Sequence, residues 1–326
     1  MLNLATIGTG SIVKKFLASI ALLGDEYNLK VVYSRDLGRG KEFAAQFGCT
    51  DVVTDLNELA NREDVDAVYI ASPNSLHFEQ ALLMLKNKKH VLLEKPATVK
   101  AEQLQQLHRC AQENGVYILE AIIPMYLPSR SILRQAVKEI GDIQSARFQF
   151  CQYSVRYNEY LKGERPNVFT AQFAGGSIMD LGIYCIYPAI DLFGEPKDIK
   201  VTSTILDTGV DSNMTCVFDY GEKIVNIISS KTAQSNIPSE ILGTNGSIQI
   251  GLISKYENIF KFTNNNLQKL VGELPKEEYM GYEAHFLYTL ITNPALVADE
   301  YEYLKEISLK VCRTLEKIRR IAGLKF

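Results

Sequence analysis

The sequence predicts an α/β protein: an N-terminal doubly wound parallel sheet, then an α+β domain built on a large, mostly antiparallel sheet. Three observations lead there. From Met1 to about Glu120, short Val/Ile/Leu-rich runs alternate with amphipathic ones. After Pro124 the rhythm changes to successive β-rich runs with hairpin turn signals between them. The length, 326 residues, suits two domains at roughly 150 residues each.

In the first half, LNLATIG reads as a strand and SIVKKFLASIAL as a helix. LKVVYS is a strand, and GRGKEFAAQFG a helix stopped by Gly48. VDAVYIAS supplies the fourth strand of such a sheet and SLHFEQALLMLKNK a helix. HVLLE is the fifth strand, AEQLQQLHRCAQEN a helix stopped by Gly115, and VYILEA the last strand. Near-continuous apolar strands joined by helices of this length argue a parallel sheet covered on both faces, with right-handed crossovers. In the second half, YLPSRSILRQAVKEIG reads as a helix. QSARFQFCQYSV, KDIKVTSTIL, MTCVFDY, KIVNIISSK, SEILGT and SIQIG read as strands, separated by signals such as Asp219-Tyr220-Gly221 and Asn245-Gly246. Helical patterns return at about Tyr279–Ile291 and Glu302–Ile321. The predicted domains are 1–122 and 123–326.

Composition narrows the function classes. Hydrophobic residues make up 46% and charged residues 22%, enough for a sizeable core and against disorder. A net charge of -3 offers no basic footprint for nucleic acid. The six cysteines (49, 110, 151, 185, 216 and 312) form no C-x-x-C pair, and with four histidines no metal-ligand spacing emerges. They read as reduced thiols of a cytoplasmic protein. The N-terminus lacks the features of a signal peptide, and no apolar run approaches the roughly 18 residues of a membrane-spanning helix. The expected partner is a small molecule, with neither nucleic acid nor membrane.

Gly8-Thr9-Gly10-Ser11-Ile12-Val13 follows the first strand and opens a helix. Two glycines suit a tight turn and close approach of backbone to a pyrophosphate, which free N–H groups at the helix start would bind. The third glycine of the dinucleotide fingerprint is replaced by Val13, so the motif draws its weight from its place in the first βαβ unit. The second strand ends Ser34-Arg35-Asp36. An acid at this tip selects the ribose hydroxyl of NAD. Here a serine and a guanidinium stand ready for a 2′-phosphate, with Arg39 nearby, which points to NADP, with NAD possible. The alternative is that Asp36 is the ribose acid. The fourth strand exits as Ala71-Ser72-Pro73-Asn74, where small residues leave room for a cofactor. His77 follows, either reaching the cofactor or bonding its helical neighbours.

Glu94-Lys95-Pro96 closes the fifth strand on the same rim. The proline restricts the backbone, so Lys95 has a fixed direction into the ligand crevice. Lys95 in a structural salt bridge is the competing reading. In the second half, GGSIMDLGIY (175–184) places Asp180 and Tyr184 four apart on one helical face. Taken alone, this is a packing face with a buried tyrosine bonded to the aspartate.

Together, the glycine turn, the Ser72-Pro73-Asn74 strand end, EKPAT and GGSIMDLGIY resemble the Gfo/Idh/MocA oxidoreductase family, named for glucose-fructose oxidoreductase, inositol dehydrogenase and a rhizopine-catabolism protein. The resemblance covers essentially the whole chain. Tyrosine at 184, where many members carry histidine, is similar to the branch with glucose-fructose oxidoreductase and the dimeric dihydrodiol and xylose dehydrogenases, which favour NADP. The resemblance implies a Rossmann domain that binds the cofactor through Gly8, Thr9, Gly10, Ser11, Ile12, Ser34, Arg35, Arg39, Ala71, Ser72, Pro73, Asn74, His77, Glu94 and Lys95. It implies that Lys95 and Tyr184 are catalytic with Asp180 close by, and that Lys95-Pro96 is cis. The chain departs at Glu120-Ala121-Ile122-Ile123-Pro124-Met125-Tyr126, where relatives often place a bulky aromatic and an arginine, which leaves the substrate open.

The implied chemistry is hydride transfer at a carbon bearing a hydroxyl or carbonyl, with a sugar, cyclic polyol or dihydrodiol as substrate. Tyr184 would exchange the proton. A phenol titrating near ~10 needs ~3 units of help, roughly 4 kcal/mol, to act near neutrality. An ammonium such as Lys95 within ~4–6 Å supplies ~1–3 units. Asp180, whose charge opposes a phenolate, is assigned orientation. The competing class is a non-catalytic dinucleotide sensor or transcriptional regulator of the same fold, which has no need of Lys95 or Tyr184. The sheet of the second half has a face to cover, so a homo-oligomer, dimer or tetramer, is expected.

Overall fold

A computed structural model describes residues 1–264 and 266–326. The chain divides into two compact units. The first comprises Met1–Ile123 and Pro275–Glu306, the second Pro124–Leu274 and Ile307–Phe326. The crossing at Ile123–Pro124 falls beside the expected boundary, and the return of 275–306 to the first unit adds a second one.

The first unit is built on a six-stranded parallel sheet: β1 (Leu2–Ile7), β2 (Tyr27–Tyr33), β3 (Val52–Val53), β4 (Ala67–Ile70), β5 (His90–Glu94) and β6 (Ile118–Ala121). Their order is β3-β2-β1-β4-β5-β6, and every pair is parallel. The direction of growth reverses between β1 and β4, the switch point at which such sheets open a ligand crevice at the strand C-termini. Continuous apolar runs in the strands follow from burial on both faces: Val31, Val32, Val68, Tyr69, Ile70 and Leu93 are all fully buried. Helix Ser11–Ile20 lays Val13, Phe16 and Leu17 on the sheet, and the Phe16 ring stacks on Tyr69 with centroids 3.8 Å apart. Helix Tyr279–Thr292, from the returning segment, packs against Ser11–Ile20. It accepts a hydrogen bond from the Tyr27 hydroxyl at the Ala284 carbonyl, 2.6 Å away.

The second unit carries an eight-stranded sheet: β7 (Ile143–Cys151), β8 (Asp198–Ile205), β9 (Asp211–Asp219), β10 (Ile224–Ser230), β11 (Ser239–Gly243), β12 (Gly246–Leu252), β13 (Glu257–Thr263) and β14 (Asn266–Val271). The order is β14-β13-β12-β11-β7-β10-β9-β8. All neighbours are antiparallel except β10 and β7, which run parallel. Side chains alternate across the pleat. Phe148, Val225, Ile227, Cys216, Phe218 and Ile241 are buried on one face, which helices Ile183–Phe193 and Pro128–Glu139 cover. Those two helices are tied by Asp191, whose side chain is 1% exposed and pairs with Arg130 at 2.9 Å and Arg134 at 2.8 Å.

One sequence expectation needs correction here. The stretch Ala171–Phe193 is long and apolar enough to cross a membrane by composition, although no such run was expected. It is 83% buried within the protein, which makes it core.

Candidate active site

On the first unit, the expected cofactor residues gather at the C-terminal rim of the parallel sheet. Gly8 has φ +120, and a Cβ there would lie 2.8 Å from the Ala71 carbonyl oxygen. Only glycine lets the β1 turn close against the end of β4. At Gly10 a Cβ would meet nothing within 4 Å, and the helix that begins at Ser11 has no side-chain cap. An open space before uncapped N–H groups is what a pyrophosphate requires, so Gly8, Thr9, Gly10, Ser11 and Ile12 fit a dinucleotide.

At the tip of β2, Asp36 caps helix Leu37–Ala45: its carboxylate accepts from the Arg39 N–H at 2.7 Å. That engagement weakens Asp36 as the ribose acid. Ser34 is 7% exposed, and its hydroxyl oxygen accepts from the Asp36 N–H at 3.3 Å. Arg35 and Arg39 project into solvent beside it.

The rim around Lys95 is held by bonds that the sequence does not advertise. His77 is fully buried, with Nε2 2.9 Å from the Ser72 carbonyl and Nδ1 3.0 Å from the Pro96 carbonyl. Both ring nitrogens thus face backbone carbonyls, one in the strand exit before its helix and one in the turn after β5, and neither lies within its own helix. Burial lowers its pKa, against the two carbonyls, and the Lys95 charge adds to the lowering. The Ser72 hydroxyl donates to Gln80 at 2.6 Å. Glu94 is 8% exposed; it accepts from the Tyr69 hydroxyl at 2.5 Å and from the Lys95 N–H at 3.2 Å. Glu120 accepts from the Ala97 N–H at 2.8 Å. Glu94 therefore braces the lysine turn. The Lys95-Pro96 bond is cis, as the resemblance implied. Pro73 and Asn74 lead into the short turn Asn74–Leu76 before His77.

Sequence reasoning missed Glu283. It lies in helix Tyr279–Thr292, is completely buried, and neither carboxyl oxygen has a hydrogen-bond partner. Burial first, and the Glu94 charge second, push its pKa well above the usual carboxylate value, which favours the neutral acid.

On the second unit, Asp180 and Tyr184 lie where a π turn, Ile178–Gly182, runs into helix Ile183–Phe193. Such turns recur at functional sites. From Ser177 to Asp191 every residue is buried except these two. They share the accessible edge of an otherwise enclosed helix. Its first turn is held by Asp211, also missed from sequence, which is buried and accepts from the Ser177 hydroxyl at 2.5 Å and the Ile178 N–H at 2.8 Å. Gly176 has φ +106, and a Cβ there would come within 2.3 Å of the Asp211 carboxylate. Asp180 is ion-paired with Lys231, a partner the sequence did not suggest. The Tyr184 ring meets Phe150 edge-on, with centroids 5.7 Å apart. In the segment between β7 and this turn, Arg156 pairs with Glu159 at 2.6 Å and Arg165 with Asp207 at 2.8 Å. Tyr157 stacks on Tyr160.

A parallel sheet of this order with a glycine-opened phosphate cradle defines a nucleotide-dependent enzyme fold, here joined to a unit that presents an acid and a phenol. The chain belongs to the GFO/IDH/MocA family and is an NAD(P)-dependent oxidoreductase: residues 2–121 match the oxidoreductase family with NAD-binding Rossmann fold, and residues 132–249 match the GFO/IDH/MocA C-terminal domain. It is 38% identical over 326 residues to the uncharacterized oxidoreductase YgjR of Escherichia coli (strain K12), covering 100% of this chain and 98% of that one. It is 37% identical over 325 residues to the scyllo-inositol 2-dehydrogenase (NADP(+)) IolU of Bacillus subtilis (strain 168), covering 99% and 98%. In fold it is similar to KijD10, a 3-ketoreductase from Actinomadura kijaniata solved with NADP and TDP-benzene, with a TM-score of 0.82, 22% identity and 98% of each chain covered.

The buried acid at 283 has a measurable consequence. A carboxyl whose folded pKa is raised stabilises the fold below its unfolded value, near 4.5, and the contribution is lost as pH rises toward the folded value. Glu283→Gln is expected to flatten that loss, with a melting temperature above wild type by about 2 °C or more at pH ~8 and little difference at pH ~5. Parallel melting curves for the two proteins across that range would contradict a neutral buried acid.

Proposed function

We propose that the protein is an NADP-dependent dehydrogenase of a secondary hydroxyl on a cyclic polyol or sugar-like ring, with Tyr184 exchanging the proton and Lys95 assisting. The observation that carries this reading is the exposure pattern of the 177–191 helix, which encloses every side chain except an acid and a phenol. Likeness over 99% of the chain to a scyllo-inositol dehydrogenase supports the cyclic polyol.

The nucleotide would rest on Gly8, Thr9, Gly10, Ser11 and Ile12, with Ser34, Arg35 and Arg39 receiving a 2′-phosphate and Ala71, Ser72, Pro73 and Asn74 lining its path. When bound, it accepts or returns the hydride. Lys95 donates a hydrogen bond to the substrate oxygen and favours the phenolate form of Tyr184. Tyr184 takes the hydroxyl proton during oxidation and gives it back during reduction. Asp180, one turn before Tyr184, is assigned orientation. Braced through Glu94, His77 and Glu120, the Lys95 turn has little freedom to lose on binding.

We further propose a cytoplasmic homo-oligomer. The six cysteines are free thiols, as a reducing compartment requires. On the sheet face opposite the helices, the alternation places Val217, Ile228, Leu242, Phe260 and Phe262, none of them fully buried. Apolar side chains on an open sheet suit a second copy.

Tyr184→Phe and Lys95→Met are each expected to lower turnover by ~10²-fold or more with dinucleotide affinity little changed. The assay is absorbance at the reduced nicotinamide, over a panel of inositols, sugars and dihydrodiols. Near-normal turnover in both variants would remove the assignment. No turnover on the whole panel, with tight dinucleotide binding, would point to a sensor. Arg35→Ala is expected to weaken NADP binding by roughly tenfold or more and leave NAD unaffected, since one charge-assisted contact is lost. Titration calorimetry with both nucleotides checks it, and equal effects would refute the phosphate contact. Light scattering on the purified chain should return a multiple of 36.6 kDa; a monomer at micromolar concentration would discard the oligomer.

A further inference from the structure

Lys231 is a lysine with 4% of its surface exposed. Buried ammonium groups are rare, because desolvation costs several kcal/mol unless an anion and hydrogen bonds offset it. Its backbone is fixed on both sides: its N–H donates to the Ser212 carbonyl at 2.9 Å, and its own carbonyl accepts from the Ser154 N–H at 2.9 Å. It directly follows β10, and the two-residue period sets it on the same side as Ser229. The Ser229 hydroxyl lies 3.0 Å from that of Ser177, at the start of the site helix. From there the ammonium reaches the Asp180 carboxylate and sits 5.9 Å from the centre of the Phe169 ring. Asp180 is 31% exposed at its side chain against 6% for Lys231. The pair thus has one enclosed member and one at the accessible edge shared with Tyr184.

We infer that Lys231 is a positioning residue of the reaction: it fixes Asp180 one turn from Tyr184 and offsets the carboxylate charge that would otherwise oppose a phenolate. The inference rests on the reading of Tyr184 as the proton-exchanging group and deepens it. The strands packed on this helix bring other titratable groups. β7 brings Cys151, with Arg147 on the opposite face from Phe150. β9 brings Asp211 and Cys216, and the helix itself carries Cys185 and Tyr187. Two other acids lie at this helix: Asp191, on the helix itself, is paired with Arg130 and Arg134, and burial raises the pKa of Asp211, against its hydrogen bonds, which tempers its negative charge. Lys231 supplies the positive charge that answers Asp180.

The test is the pH dependence of turnover with NADP and an accepted inositol, in wild type, Lys231→Met, Lys231→Arg, Asp180→Asn and the Asp180→Asn/Lys231→Met double variant. Lys231→Met should move the rise in activity to higher pH by roughly one unit, the expected effect of taking a cation away from a carboxylate one helical turn from the phenol. Lys231→Arg should restore most of the wild-type profile. In the double variant, with both charges gone, the rise should return toward its wild-type position. A purely structural lysine would lower activity at every pH without moving the rise, and would leave the double variant no better. A Lys231→Met profile that superimposes on wild type after scaling overturns the inference. Phenolate absorbance, taken as the difference between each protein and its Tyr184→Phe counterpart, reads the same shift without turnover, and no shift there also overturns it. Should Lys231→Met fail to fold, the double variant against Asp180→Asn decides: with no carboxylate to offset, removing Lys231 must leave the rise in place, and a further shift refutes the proposal. Full turnover in Tyr184→Phe would instead remove the underlying reading, whatever Lys231 does.

Discussion

The His77 imidazole stands between two backbone carbonyls, those of Ser72 and Pro96, and the nucleotide rim of the first unit depends on that bridge. Each contact is a hydrogen bond only when its nitrogen carries the proton. Burial, together with the nearby Lys95 charge, presses the ring toward neutrality, while the carbonyls favour the cation. The outcome is a ring with no reason to turn outward. In the neutral ring one nitrogen donates to its carbonyl and the other only packs against the second, so the buried imidazole fills the space between the exit of β4 and the turn that carries Lys95. Glu94 and Glu120 hold that turn from its other side. Polar groups enclosed in this way are costly unless paired, and pairing makes them rigid.

The second unit solves a related problem differently. A helix that is apolar nearly all round must present two polar side chains at one edge. Asp211 secures its first turn and leaves Gly176 no room for a Cβ. A widened turn follows at Ile178–Gly182, and there Asp180 and Tyr184 come to the surface. Lys231 meets the acid from the neighbouring strand. Charges in both units are thus arranged around one accessible residue each, Lys95 in the first and Tyr184 in the second.

Much of this was legible in the sequence. Apolar strands, glycine-stopped helices such as Ala101–Asn114 and the EKP turn are local signals, and local chemistry determines them. The two-residue strand β3 was too short to carry a pattern, and the β13–β14 hairpin mixes Lys261, Asn266 and Lys269 with apolar residues, which hides its alternation. The site partners Lys231, Asp211, Glu120 and Glu283 were not legible for another reason. A charged residue in a sequence is read as solvated by default, and only tertiary burial makes it a member of a site. Asp36 shows the reverse case: an acid at the right place for a ribose is used as a helix cap.

The return of residues 275–306 to the first unit bears on how the chain emerges from the ribosome. Helix Tyr279–Thr292 packs on the first helix and takes the Tyr27 hydrogen bond, so the nucleotide fold is incomplete while only its N-terminal 123 residues exist. Its nascent sheet waits, with an apolar flank uncovered, through synthesis of the whole second sheet. Completion comes only once residues 275–306 have been made, and a fragment cut at the first crossing would lack the helix that closes that flank.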